Sequence, residues 1–426
     1  MERFLARQPI FNHQRIVYGY EVLFRSGPEN YFDHSHPDAA AASAADSLLL
    51  FGLERLTGGR RAFMNCTREF LVHDFPFVFP KDRVVIEILE TVHVDADTIA
   101  ACARLKKAGY LLALDDFRRS PAWEPLLSMA DFIKVDLLLT PLEEQMQLAR
   151  AYSASNVTLI AEKVETYDEF QRTLAWGYTY FQGYFFSRPE MLRHHDVPAY
   201  KLSYLRILQA VNQPQIDLHA VSERIKEEAS LSYRLLRYLN SPAFPFVANV
   251  SSIPHGLSLL GERGTRKWVS LVAVACMGDE KPTELLMLPL VRARFCELLA
   301  PHAGLAKAAN DLFLLGLLSA MDAILDMKMT DILKEIALRE DIRQALLGEK
   351  NRLRAIFDVA LQYEKGAWDT IGEGLARLGI PDTLFPELFL KAVDWASGIL
   401  KGADVSRTEP PFSAEQDRPP TLSPKN

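Results

Sequence analysis

Leu111-Leu112-Ala113-Leu114-Asp115-Asp116-Phe117 decides how the first half of this 426-residue chain is read. Four apolar residues make a short buried-strand pattern, and two adjacent carboxylates end it. Side chains alternate along a strand, but the chain turns at its end, so both aspartates can face one pocket. Adjacent carboxylates repel unless a cation or a proton lies between them. The stretch therefore predicts either a divalent-metal site at the carboxyl end of a strand or an Asp-rich turn.

Outward from this strand, the first half alternates strand-like and helix-like stretches. Val17 to Arg25, Arg61 to Cys66, Arg83 to Leu89, Phe132 to Asp136, Val157 to Val164 and Tyr178 to Phe186 read as strands. Asp38 to Leu56, Asp97 to Ala108, Leu142 to Ser153 and Tyr167 to Trp176 read as helices, the second stopped by Gly109. Strands separated by helices pair in parallel. This many units predicts a closed (β/α)8 barrel, with an open α/β sheet as the alternative.

From about Leu192 strand patterns stop, and helical periodicity with short breaks runs to Gly402. The clearest helices are Ile216 to Glu228, Ser232 to Leu239, Ser252 to Leu260, Arg266 to Ala275, Leu285 to Leu299, Ala306 to Leu325 and Asp341 to Leu347. The polar junction His194-His195-Asp196-Val197-Pro198 predicts an α/β domain over 1–195 and an all-α domain over 196–402. Residues 403–426, with prolines among polar residues, predict a disordered tail.

Composition narrows the class. With 49% hydrophobic residues, 24% charged residues and a net charge of -7, the chain has no global attraction to nucleic acid or an anionic membrane. It shows neither a membrane-spanning apolar run nor a signal-peptide pattern after Met1. Cys66, Cys102, Cys276 and Cys296 form no CxxC pair, which points to a reducing compartment and away from zinc or a disulfide framework. The expectation is a soluble cytoplasmic protein. The basic run from Arg263 to Lys267 reads as a solvated face rather than a nucleic-acid surface.

Polar residues close strand after strand in the first half: Glu21, Asn65, Glu87, Asp115 with Asp116, Lys134, Glu162 and Gln182. In a (β/α) barrel such positions converge on one face. The set is rich in oxygen donors and lacks His or Cys clusters, which suits Mg²⁺ or Mn²⁺. Several carboxylates can hold two such ions, which clamp the attacking and leaving oxygens of a phosphoryl displacement, with Lys134 orienting the water or neutralising charge. Singly, the residues have plainer roles: Glu87 paired with a Lys or Arg, Lys134 paired with Asp136, Asn65 as a turn former. A Schiff-base aldolase built on Lys134 would leave the paired aspartates unexplained.

These residues resemble the EAL domain, a family of barrel phosphodiesterases that hydrolyse the bacterial messenger cyclic di-GMP. The resemblance runs over roughly residues 3–190. Gln8-Pro9-Ile10 is similar to the family's opening QPI, and Glu21-Val22-Leu23 stands at EAL itself. It implies that Glu21, Asn65, Glu87, Asp115 and Asp116 bind metal, and that Lys134, Glu162 and Glu21 are catalytic. Arg25, Gln8 and Gln182 are implied at the substrate, and Glu90 as the anchor of the loop after the aspartates. Two motifs depart from the pattern. The family's DDFGTGYSSL reads Asp115-Asp116-Phe117-Arg118-Arg119-Ser120-Pro121-Ala122-Trp123-Glu124, so its glycines are lost. Its AEGVE reads Ala161-Glu162-Lys163-Val164-Glu165.

The second half resembles the HDOD domain, a helical relative of HD phosphohydrolases, through Arg234 to Ser241, Ser252 to Gly261 and Phe313 to Ala320. Where the HD enzymes place a metal-binding His-Asp pair, this chain has Ser319-Ala320, so the resemblance implies a non-catalytic regulatory or partner-binding module. The EAL–HDOD order is similar to a bacterial signalling type, the YuxH-like family. Two functions follow as expectations: a two-metal phosphodiesterase that opens cyclic di-GMP to pGpG, or an inactive adaptor that binds a protein partner or the nucleotide. A homodimer fits either.

Overall fold

Period-two alternation closes eight strands into one barrel: β1 Arg3–Asn12, β2 Val17–Ser26, β3 Arg61–Cys66, β4 Val84–Ile88, β5 Leu111–Leu114, β6 Phe132–Asp136, β7 Thr158–Glu162 and β8 Tyr180–Phe181. The computed structural model describes residues 3–26, 53–118, 120–152, 155–183, 199–240, 250–278 and 281–403. The order is β1-β2-β3-β4-β5-β6-β7-β8, so the closed barrel holds and the open sheet does not. One feature departs from the (β/α)8 expectation. β1 runs antiparallel to both β2 and β8, while β2 through β8 pair in parallel. The physical reason is the connection: β1 and β2 are joined by a tight turn at His13–Ile16, too short for the crossover that parallel strands need.

The barrel floor is apolar. Ile10, Tyr18, Phe63, Val85, Ala113, Phe132, Ile160 and Tyr180 fill its interior as one buried cluster. Tyr18 stacks on Tyr180 at 4.2 Å and Phe63 meets Phe132 edge-on at 5.5 Å. Inward positions recur every second residue, so on six strands the next inward position after this layer is a polar one: Asn65, Glu87, Asp115, Lys134, Glu162 and Gln182. The floor thus sets the height and direction of the functional layer. Outside, the helix Ala96–Ala108 is capped by Asp95 and stopped by Gly109, whose φ of 94° is the left-handed turn the sequence predicted there.

The chain divides into two compact units, the second of which is helical. Its longest helix, Ile253–Met277, is bent at Gly261 (φ 64°), between the two helices that periodicity predicted. The single helix expected over Ala306 to Leu325 is broken into Ala309–Leu318 and Met321–Leu325. The boundary placed at His194–Pro198, the tail from Asp404 on and most of the helix expected over Asp38 to Leu56 lie outside the described residues. All four cysteines are free and buried. Among the described residues, no helix is long and apolar enough to cross a membrane.

Candidate metal centre at the barrel mouth

Lys134 is the hub of the polar layer. It projects from β6, is 1% exposed, and reaches carboxylates from four other strands. Its Nζ donates to Glu162 Oε1 at 2.8 Å, Asp115 Oδ1 at 2.9 Å, Glu21 Oε2 at 3.3 Å and, more closely still, Glu87 Oε1. The two readings of Glu87 therefore merge, because its basic partner is the site lysine itself. Lys134 does not pair with Asp136. Asp136 instead accepts the Leu138 and Leu139 amides at 2.7 and 3.0 Å, and the ammonium of Lys163.

The amides complete the ring. Asn65 Nδ2 donates to Glu21 Oε1 at 3.3 Å, and Gln182 Nε2 donates to Glu21 Oε2 at 2.7 Å and to Gln8 Oε1 at 2.9 Å. Asn65 lies inside β3 beside Glu87 of β4, so it is not a turn former. Asp115 and Asp116 follow β5 and come within reach of Glu162. One oxygen from each of the three lies within 4.8 Å of the others, the spacing of a shared cation. The backbone supports this turn through the Asp115 amide on Ile88 O and the Phe117 amide on Lys134 O, both at 3.0 Å. Phe117, 1% exposed, then anchors the start of the altered loop.

Charge is badly balanced here. Glu21, Glu87, Asp115 and Glu162 crowd the Lys134 ammonium and Asp116 lies beside them, so five carboxylates outnumber the cations even with the Lys163 charge that acts on Asp116. Burial is the leading cause that pushes Glu87 well above the ordinary carboxylate range and Glu162 up to about 8. Asp116 also rises, through burial and then the Asp115 charge. Asp115 is opposed by its own burial, but Lys134 and its hydrogen bonds hold it below the usual value. Burial likewise works against the Lys134 ammonium, and the surrounding carboxylates outweigh it, raising its pKa well above that of an ordinary lysine.

The donor set fits hard divalent cations. Asn65 Oδ1, Glu87 Oε2 and Gln182 Oε1 are buried acceptors with no hydrogen-bond partner, and all three belong to this layer. Buried unpaired oxygens beside excess carboxylate charge are what a bound Mg²⁺ or Mn²⁺ would satisfy. Two expected residues stand apart. Glu90 is exposed and makes no side-chain hydrogen bond among the described residues, although its charge acts on Asp116. Arg25 pairs with Phe4 at the end of β2, and only its backbone is described.

One residue belongs to the site that spacing alone did not assign. Lys163, in a left-handed conformation (φ 54°), stands where the motif has glycine and holds Asp136. Its charge also acts on Asp116, placing a second ammonium beside the aspartate pair. The helical half has no comparable centre: among the described residues, no group of three His, Cys, Asp or Glu gathers there. At the Ser319-Ala320 step, the buried Arg292 donates to Ser319 Oγ at 3.2 Å, so a cationic side chain stands beside that position.

Comparison with known proteins separates the same two units. The model of the EAL domain matches residues 67–189, and that of the HDOD domain matches residues 197–353. Glu21 and Asn65 precede the first span, yet both are hydrogen-bonded within the polar layer. The protein YuxH of Bacillus subtilis is 33% identical over 94% of this chain and 99% of its own length. The cyclic di-GMP phosphodiesterase CdgJ of Vibrio cholerae is 33% identical over 93% of each chain. BlrP1 of Klebsiella pneumoniae, in a calcium and cyclic di-GMP complex, is 25% identical over 44% of this chain and 56% of its own, with a TM-score of 0.38.

Proposed function

The chain belongs to the EAL–HDOD family of YuxH and CdgJ, and on that premise we propose that its barrel hydrolyses cyclic di-GMP to linear pGpG with two divalent metal ions, Mg²⁺ or Mn²⁺. One observation carries this reading: four carboxylates crowd one buried ammonium, a fifth, Asp116, lies within cation-sharing reach of Asp115 and Glu162, and three buried acceptor oxygens of this layer have no hydrogen-bond partner. The first ion is assigned to Glu21, Asn65, Glu87 and Asp115. The second is assigned to Asp116, with Asp115 and Glu162. When bound, such ions polarise the phosphodiester and acidify a coordinated water.

The chain's own residues do the rest. Lys134 reaches Glu21, Glu87, Asp115 and Glu162 at the centre of the layer, and its ammonium would orient the nucleophilic water there. The water oxygen would attack phosphorus as the bond from phosphorus to the 3′ oxygen breaks, that oxygen taking a proton from solvent. Glu162 lies beside Lys134 to receive the proton of the water. Gln182 and Gln8 form a hydrogen-bonded pair suited to ordering water and the substrate, and Arg25 is assigned to the substrate phosphate. The HDOD half is assigned a regulatory role through a protein partner, in a cytoplasmic protein that can form a homodimer.

The test is chromatography of cyclic di-GMP incubated with the full chain and Mg²⁺ or Mn²⁺. Linear pGpG is expected, disappearing with chelator and falling on the order of 10³-fold in Glu21→Ala. The rebuilt loop from Arg118 to Trp123, where Arg118 reaches Leu139 O at 3.4 Å, favours a second outcome. Tight nucleotide binding with no pGpG would replace the enzyme by a receptor.

A further inference from the structure

The basic run that begins at Arg263 does not lie on a plain solvated face. In the helical half it forms one wall of a cavity of about 580 Å³, a volume in the range of small-molecule sites. Arg263, Arg266 and Lys267 come from the second part of the bent helix. Lys307 and Arg339 come from the segments before the helix Ala309–Leu318 and before the helix Glu340–Leu346. Five cationic side chains thus face two lining carboxylates, Glu262 and Asp311.

Much of the compensation is already committed. Asp311 is held by Arg339 at 2.6 Å, and from outside the cavity lining Asp341 also holds Arg339 and Glu297 holds Lys267. Arg266 donates to Gln213 O at 2.9 Å. Arg263 and Lys307 are exposed, and among the described residues their side chains pair with no carboxylate. Burial is the first cause that lowers the pKa values of Arg266 and Lys267, and it outweighs the charges of Glu262 and Asp311 on the first and of Glu297 on the second.

Backbone and floor add to this. Gly261 adopts φ 64° and the helix restarts at Glu262, and Glu262 and Arg263 of that first turn line the cavity. Leu314, Leu338 and Ile342 supply an apolar floor. Asn212, only 5% exposed, also lines the cavity. Its Nδ2 donates to Leu208 O and Ser270 Oγ, and its buried Oδ1 has no donor. The site is therefore built for an anionic group joined to an apolar body that carries an N–H or O–H. It sits toward the first residues of the helix Ala309–Leu318, at the opposite end from Ser319.

We propose that this cavity binds a phosphorylated small molecule, its phosphates held by Arg263, Arg266 and Lys307 and its body resting on Leu314 and Ile342. This is a second ligand site, independent of hydrolysis in the barrel, and it gives the helical half an input of its own. A surface for nucleic acid would need an open basic stripe; these cations close around a hollow.

The experiment is isothermal titration of the full chain in EDTA, which removes metal from the barrel, with ATP, inorganic pyrophosphate and adenosine as probes. ATP should bind more tightly than pyrophosphate, and adenosine should not bind. The double variant Arg263→Ala/Lys307→Ala should weaken ATP at least about 10-fold with an unchanged circular dichroism spectrum, since both side chains are exposed. Glu21→Ala should leave ATP affinity unchanged, which separates this cavity from the barrel. Absence of binding by both ATP and pyrophosphate overturns the proposal. So does ATP affinity that survives the double variant or is lost in Glu21→Ala. Equal affinity for ATP and pyrophosphate overturns the role of Leu314 and Ile342, and adenosine binding as tightly as ATP overturns that of the cations.

Discussion

The barrel mouth and the helical cavity carry opposite charge imbalances, and they bear them at different depths. At the mouth, four carboxylates contact one ammonium and a fifth, Asp116, lies beside them, with Lys134, Glu87, Glu21 and Glu162 all buried. In the cavity, five cations face two lining carboxylates, with Glu297 and Asp341 pairing two of the cations from outside the lining, and Arg263, Lys307 and Arg339 are exposed to water. Water screens the second imbalance cheaply, whereas the first must be settled by protons, by Lys134 or by metal. The same deletion of one positive charge should therefore have very different consequences in the two places.

The largest effect is expected from Lys134→Met. Removing the ammonium leaves four contacting carboxylates without a cation, and breaking buried ion pairs in this way costs about 3–5 kcal/mol. In chelator the variant should melt far below the parent and regain part of the loss with Mg²⁺ or Mn²⁺. Arg263→Ala should change stability by less than about 0.5 kcal/mol. Equal melting temperatures for Lys134→Met and the parent in chelator would mean that the mouth is not organised around this lysine.

A pH series sharpens the contrast without any substitution. Glu162 is pushed from 4.5 to about 8, and Glu87 well upward, so the metal-free fold prefers both protonated. A carboxyl whose pKa is raised by folding stabilises below its unfolded value, and that stabilisation is lost as pH rises through the folded one. Asp115 is shifted the other way, and its contribution disappears only in acid. Between about pH 5 and pH 8 the metal-free protein should therefore become less stable as pH rises. Saturating Mg²⁺ or Mn²⁺ should flatten or reverse that slope, because metal replaces the protons. A flat melting profile in chelator would remove the proton-for-metal exchange from the account of the mouth.

How much of this could be read in advance follows from the spacing of the contributors. On six strands an inward apolar residue precedes the polar one by two positions, as in Phe63 and Asn65, or Phe132 and Lys134. Period-two alternation makes such a layer legible in a single strand. Strand direction was less so: the reversal of β1 depends on a tight turn at His13–Ile16. The partner of Asp136 was hidden because Lys163 reaches it from the next strand's end. The cavity was hardest, since helix packing joins Arg263, Lys307 and Arg339 from three separate segments. Its one visible sign, the Arg263 to Lys267 cluster, looked like an ordinary helix surface.

The smallest effect concerns Lys163, where the mouth has gained a cation of its own. Its backbone sits at φ 54°, a conformation glycine adopts freely and lysine only with strain, so Lys163→Gly relieves roughly 1 kcal/mol. The change also removes the ammonium from Asp136, which keeps the Leu138 and Leu139 amides, and so offsets part of that gain. The net change in stability should be small. Metal binding should respond more clearly, because the Lys163 charge that acts on Asp116 would also repel an incoming cation. Titration with Mn²⁺ should show binding about 3- to 10-fold tighter in Lys163→Gly. Lys163→Arg, which keeps the charge, should stay near the parent. If the glycine variant binds Mn²⁺ no better than the arginine variant, Lys163 serves only to hold Asp136, and the altered loop beyond Asp116 has no electrostatic counterpart on β7.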